Sequence, residues 1–221
     1  MNNIEKISNS IAAKISSILN YDKDYEEVLA YGAFSMLQTI FTILLILLFS
    51  IFFKVPVEAF IISFTASILR KYSGGVHAST SGRCTILGVT AFVSMAVLIK
   101  QLINFSLLIN FYFIIGCFGF AYFTVFKNAP KDTPNKLITN VEVRKSLRKK
   151  SLWVLHIFLL ITVLLLFLST RGIYLYGLII VFSILCGISW QAFTLTYIGN
   201  LIISNLDKLL GRIYNIGGEI Q

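Results

Sequence analysis

Long apolar blocks separated by short polar stretches dominate this chain. The blocks run over Val28 to Phe53, Val57 to Leu69, Cys84 to Ile99, Leu102 to Phe126, Leu152 to Ser169 and Ile173 to Ile198. About 18 or more apolar residues suffice to cross a hydrocarbon core of about 30 Å, so the pattern predicts six membrane segments. The second block is short and carries Glu58 near one end, which predicts a tilted, partly interfacial or re-entrant helix. The two ends read differently. Ile4, Ile7, Ile11, Ile15 and Ile18 recur at helical spacing with Glu5, Lys6, Ser8, Lys14 and Ser16 between them, an amphipathic helix too polar to span. It is expected at the membrane interface or packed on the bundle, with a soluble partner-binding helix as the alternative. Asn200 to Gln221 repeats the style with Leu201, Leu206, Leu209, Leu210 and Ile213. The expected fold is all-α: one polytopic membrane bundle over residues 1–221 with amphipathic terminal helices.

Composition supports that class, with 57% hydrophobic and only 13% charged residues. The first 20 residues lack the architecture of a secretory signal, so no cleaved leader is expected. The net charge of +9 would suggest nucleic acid for a soluble domain. No aromatic-interleaved basic groove accompanies it, and nucleic-acid binding is not expected. Topology explains the charge better. With a cytoplasmic amino terminus, 16 of the 19 basic residues fall in inner segments and only Lys54, Lys100 and Arg171 in outer ones. Both termini are therefore expected inside, as are the long polar connections 70–83 and 127–150.

Residues 70–84 stand apart. This stretch holds Arg70, Lys71, Ser73, Gly74, Gly75, His77, Gly82, Arg83 and Cys84. A cysteine nucleophile needs a base or nearby cations to hold its thiolate, and both kinds of help occur here. A polar loop with an inert thiol is the plain alternative. His77 and Cys84 would be about 10.5 Å apart along an unbroken helix, so the backbone must fold back, which Gly74, Gly75 and Gly82 permit. Backbone N–H groups freed by such a turn could stabilise an oxyanion. A zinc site would need two further ligands, and no metal or cofactor is expected. Cys117 and Cys186 lie in apolar runs as small packing residues, and His156 as a packing residue in its own span.

At residues 70–84, and again at Ala129-Pro130-Lys131-Asp132-Thr133-Pro134-Asn135-Lys136, the chain resembles the accessory gene regulator B (AgrB) family of Gram-positive quorum-sensing systems. Leu137 stands where that family would be expected to favour proline. The resemblance implies a membrane cysteine endopeptidase that processes an AgrD-like precursor peptide into a cyclic autoinducing pheromone. It assigns Cys84 as nucleophile and His77 as its catalytic partner; Arg70, Lys71, Ser73, Gly74, Gly75, Arg83, Lys131, Asp132 and Lys136 are the further candidates to support the loop or the substrate. It also implies the plasma membrane of a Gram-positive bacterium, with lipid and the precursor as partners. The stretch from Lys127 to Lys150 carries a net +6, suited to an acidic precursor tail, although topology alone would explain it.

Two rivals stand beside this reading: a small transporter or exporter, and a membrane scaffold in which residues 70–84 merely connect. Gln38, Glu58 and Ser73 are the candidates for orienting His77. The glycine pair Gly116 and Gly119 permits close helix packing, and a homodimer is the assembly that building a cavity from six helices suggests.

Overall fold

The computed structural model describes residues 3–76, 78–102, 107–131, 139–171 and 176–218. Within them the protein is all helical: α1 (Asn3–Leu19), α2 (Lys23–Phe52), α3 (Pro56–Ser73), α4 (Ser81–Leu102), α5 (Leu107–Asn128), α6 (Val141–Thr170), α7 (Gly177–Leu195) and α8 (Tyr197–Gly218). The chain divides into two compact units, Met1–Ile46 and Leu47–Gln221.

In the first unit, α1 leaves Ile7, Ile11, Ile15 and Ile18 exposed along one face. That is the stripe expected of an interfacial helix. The Asp22 carboxylate accepts from the Tyr25 N–H at 2.9 Å and so caps α2.

In the second unit α3 and α7 form the centre, with α4, α5 and α6 packed around them. Among the described residues five helical stretches are long and apolar enough to cross a membrane: Lys23–Phe52, Ser81–Lys100, Phe111–Asn128, Val141–Thr170 and Gly177–Leu195. The remaining expected span, Val57 to Leu69, lies in α3, which is not among them. Its polarity has a structural reason. Glu58, Ala59, Ile62, Ser63, Thr65, Ala66, Leu69 and Ser73 are all buried, so this helix, like α7, meets protein along much of its surface. Its 18 residues still reach about 27 Å, close to the thickness of a hydrocarbon core. Close approach to α7 occurs at Gly187, where a Cβ would stand 2.7 Å from the Ile62 carbonyl oxygen and 2.8 Å from the Thr65 Cβ. Small residues of this kind let membrane helices pack tightly, where dispersion contacts take over the role of the hydrophobic effect.

The outer surface is apolar. Phe123, Phe126, Trp153, Leu160, Leu164 and Phe167 are exposed, a surface that suits lipid and would aggregate in water. The chain is a multi-pass membrane protein. Helix α6, at 30 residues, is about 45 Å long and overhangs a bilayer core, so Arg144 to Lys150 form a helical extension within the stretch read from sequence as a basic loop. Gly116 and Gly119 do not serve packing inside the bundle, since a Cβ at either would meet nothing within 4 Å.

The last expected span, Ile173 to Ile198, is α7 followed at once by α8. Thr196 breaks the helix with an extended backbone (φ −76°, ψ 162°), and its hydroxyl accepts from the Gly199 N–H at 2.9 Å as the cap of α8. Lys100 at the end of α4 donates to the Lys54 carbonyl between α2 and α3. The opposite ends of α3, α4, α5, α6 and α7 gather around the segment that sequence singled out.

Candidate active site

Helix α3 ends in a glycine turn. Gly74 takes a left-handed φ of 67°, with its N–H donating to the Arg70 carbonyl, and Gly75 follows at φ 138°. Neither conformation suits a residue with a Cβ. Space is also closed: a Cβ on Gly74 would lie 2.4 Å from the Lys131 carbonyl oxygen, and one on Gly75 2.7 Å from the Thr194 hydroxyl.

Two neighbouring elements, the Ala129–Lys131 connection and α7, hold this turn. The Lys131 N–H donates to the Ser73 carbonyl at 2.9 Å, and the Val76 N–H to the Thr194 carbonyl at 3.4 Å. Gln191 Nε2 donates to the Gly74 carbonyl at 2.6 Å and to the Ser73 hydroxyl at 3.0 Å. From within the turn, the Arg70 guanidinium donates to the Val76 carbonyl. The Ala129–Lys131 connection is itself anchored, since Arg148 Nε donates to the Ala129 carbonyl at 2.8 Å and Arg144 Nη1 to that of Pro130 at 3.3 Å. The Ala129–Pro130 peptide bond is cis.

Of residues 70–84, then, Arg70 to Ser73 close α3 and Ser81 to Cys84 open α4, leaving a short connection between. The Thr80 hydroxyl caps α4 by accepting from the Arg83 N–H at 3.4 Å, and its carbonyl takes the Cys84 N–H at 3.0 Å. Gly82 is helical, contrary to its expected part in the fold-back, and has open space around it. Cys84 is a free, half-buried thiol in the first turns of α4. Burial pulls the Arg70 guanidinium below its ordinary value, and the Cys84 side chain opposes that through its charge. An arginine stays protonated in proteins, so it presents a cation to the thiol.

Arg83 bonds the Ser79 hydroxyl at 2.9 Å and pairs with Asp207 of α8 at 3.6 Å. Gly211 gives it room, as a Cβ there would stand 3.0 Å from the guanidinium. Lys71 is exposed, its ammonium 5.6 Å from the centre of the Tyr72 ring, and takes no part in this network. Lys131 is half-buried at the turn, and burial lowers its ammonium's pKa. His77, Asp132 and Lys136 lie outside the described residues. Of the candidates to orient His77, Ser73 sits in the turn, whereas Glu58 is at the far end of α3, about 18 Å along the axis from Arg70. His156 packs away from the turn on α6, its ring edge-on to Tyr122 at 5.2 Å.

Sequence reasoning missed Gln191, Thr194 and Asp207. The first two offered a signal: polar residues at i and i+3 inside an apolar helix need a partner at depth. Asp207, on an amphipathic helix, offered none.

A polytopic helical membrane protein with a cation-flanked cysteine behind a double-glycine turn is the class this geometry defines. The accessory gene regulator B (AgrB) family model matches residues 5–195, and the chain belongs to that family. It is 41% identical over 214 residues to an AgrB-like protein 2 of Clostridium perfringens (strain 13 / Type A), covering 95% of this chain and 99% of that one. An AgrB-like protein of Clostridium perfringens (strain SM101 / Type A) is 38% identical over the same shares. One from Clostridium acetobutylicum is 25% identical over 73% of this chain and 75% of its own length. No solved structure matches.

Proposed function

We propose that the protein is a membrane cysteine endopeptidase that processes an AgrD-like precursor at its cytoplasmic face. The observation that carries the reading is the double-glycine turn, held by the Ala129–Lys131 connection and by α7, that places the buried Arg70 near Cys84 at the start of α4. Cations beside a thiol favour the thiolate, which is the nucleophile.

In this account the Cys84 thiolate attacks the carbonyl at the precursor's cut site. The tetrahedral intermediate collapses, the C–N bond breaks, and the tail leaves as an amine after taking a proton, a role assigned to His77 by the family resemblance. The positive end of the α4 dipole faces this site and is suited to stabilising the oxyanion. The upstream peptide remains as a thioester on Cys84. A thiol or hydroxyl within that peptide then attacks the thioester carbonyl, closing a thiolactone or lactone and returning the thiolate. A site at the membrane face limits water, which would otherwise divert the thioester to hydrolysis. The basic residues of 127–150 would meet an acidic tail. The positive-inside bias supports placing both termini and this end of the bundle in the cytoplasm.

The test is full-length enzyme in liposomes with an AgrD-like precursor peptide. Cys84→Ala should release no tail, and His77→Ala should be nearly as severe. Cleavage by Cys84→Ala at the wild-type rate would contradict the reading.

A further inference from the structure

Gln191 is the most deeply buried large polar side chain near the turn, with no exposure at all. It lies one turn before the end of α7, in a helix otherwise almost wholly apolar. Placing a primary amide there is costly unless its hydrogen bonds are remade. Both are spent on the glycine turn, at Gly74 O and Ser73 Oγ. The amide's orientation is fixed, because a backbone carbonyl can only accept and so must face Nε2. Its Oε1 is left buried without a partner. Gly75 is pressed against the same group, its missing Cβ only 3.2 Å from Nε2.

We propose that Gln191 is a positioning residue for the cysteine chemistry, its Nε2 pinning the Gly74 carbonyl and hence the turn that leads into α4 and Cys84. The inference rests on the peptidase reading. Gln191 acts through the turn and touches no reacting atom. Two successive glycines have many accessible conformations, so without this donor the turn loses the bond that selects one of them. The Arg70 bond to Val76 and the Val76 bond to Thr194 both depend on that conformation.

The test uses Gln191→Leu and Gln191→Glu in the full-length enzyme in liposomes with the precursor. Gln191→Leu should lower kcat tenfold or more with KM unchanged. Gln191→Glu separates positioning from packing. Its carboxylate has no proton to give the Gly74 carbonyl, whereas its protonated form does, and burial favours the protonated form. The activity of Gln191→Glu relative to wild type should therefore rise as pH falls from about 8 to about 5.5, while the relative activity of Gln191→Leu stays flat. Wild-type kcat in Gln191→Leu, or a flat or falling ratio for Gln191→Glu, overturns the inference. If Gln191→Leu fails to insert, the Gln191→Glu ratio alone decides. Cys84→Ala runs in parallel: cleavage there removes the peptidase reading itself, whereas an inert Cys84→Ala beside a wild-type Gln191→Leu removes only the role of Gln191.

Discussion

Arg70 closes α3 and Cys84 opens α4, and the double-glycine turn between those helices brings the buried guanidinium near the thiol. Burial strips water from the guanidinium, so its influence on the neighbouring thiol is screened less than at a surface. Arg70→Gln should cut precursor cleavage by about tenfold or more, equivalent to about 1.4 kcal/mol, and should slow alkylation of Cys84 by iodoacetamide at neutral pH. Arg70→Lys keeps the charge but loses the planar fork that also reaches the Val76 carbonyl, and should fall between. Wild-type alkylation of Cys84 in Arg70→Gln would remove Arg70 from the account.

The three glycines of the segment should respond in opposite ways. Gly74→Val and Gly75→Val each force a β-branched residue into positive φ against the Lys131 carbonyl or the Thr194 hydroxyl. Both should insert and lose processing. Gly82→Ala meets open space in a helix and should keep full activity, with a gain of about 0.5–1 kcal/mol in stability. Thermal melting and precursor cleavage of the three variants, measured together, check the contrast.

Much of this was legible in the chain because lipid imposes a simple code: apolar blocks of spanning length gave α2, α4, α5 and α7 to within about five residues, and the apolar part of α6, whose helix begins earlier, at Val141. Helix α3 was the hardest to read, since Glu58, Ser63, Thr65 and Ser73 are polar and yet buried. A central helix covered by neighbours escapes the demand for an apolar surface, and composition alone cannot reveal the cover. At the site, Arg70, Gly74, Gly75 and Cys84 were visible as an unusual cluster. Gln191 and Thr194 arrive from more than 100 positions away, and a pairing of that separation leaves no local pattern.

Lys131 supplies a test of local environment. Burial lowers its pKa, which puts more of it in the free-amine form at any pH below the ordinary lysine value. An amine-reactive ester at about pH 8 should therefore modify Lys131 faster than a fully solvated lysine of equal access, and the advantage should shrink as pH approaches about 10.4. Peptide mapping after brief labelling reads this, and a Lys131 slower than solvated lysines at pH 8 would contradict its placement at the turn.

The distribution of Lys and Arg favours an orientation with both termini and the Cys84 end of the bundle inside. In intact cells Cys84 should react with a membrane-permeant maleimide and resist an impermeant one, with Cys117 and Cys186, inside spans, slower toward both. Labelling of Cys84 from outside by the impermeant reagent would invert the topology.

The central claim is that the precursor is held on Cys84 as a thioester. Wild-type enzyme mixed with its precursor and quenched in acid within a turnover should gain the mass of the precursor less its tail. That mass should map to Cys84, be lost on treatment with hydroxylamine, and be absent from Cys84→Ala. An adduct on Cys117 or Cys186, or release of the tail by Cys84→Ala, would contradict it.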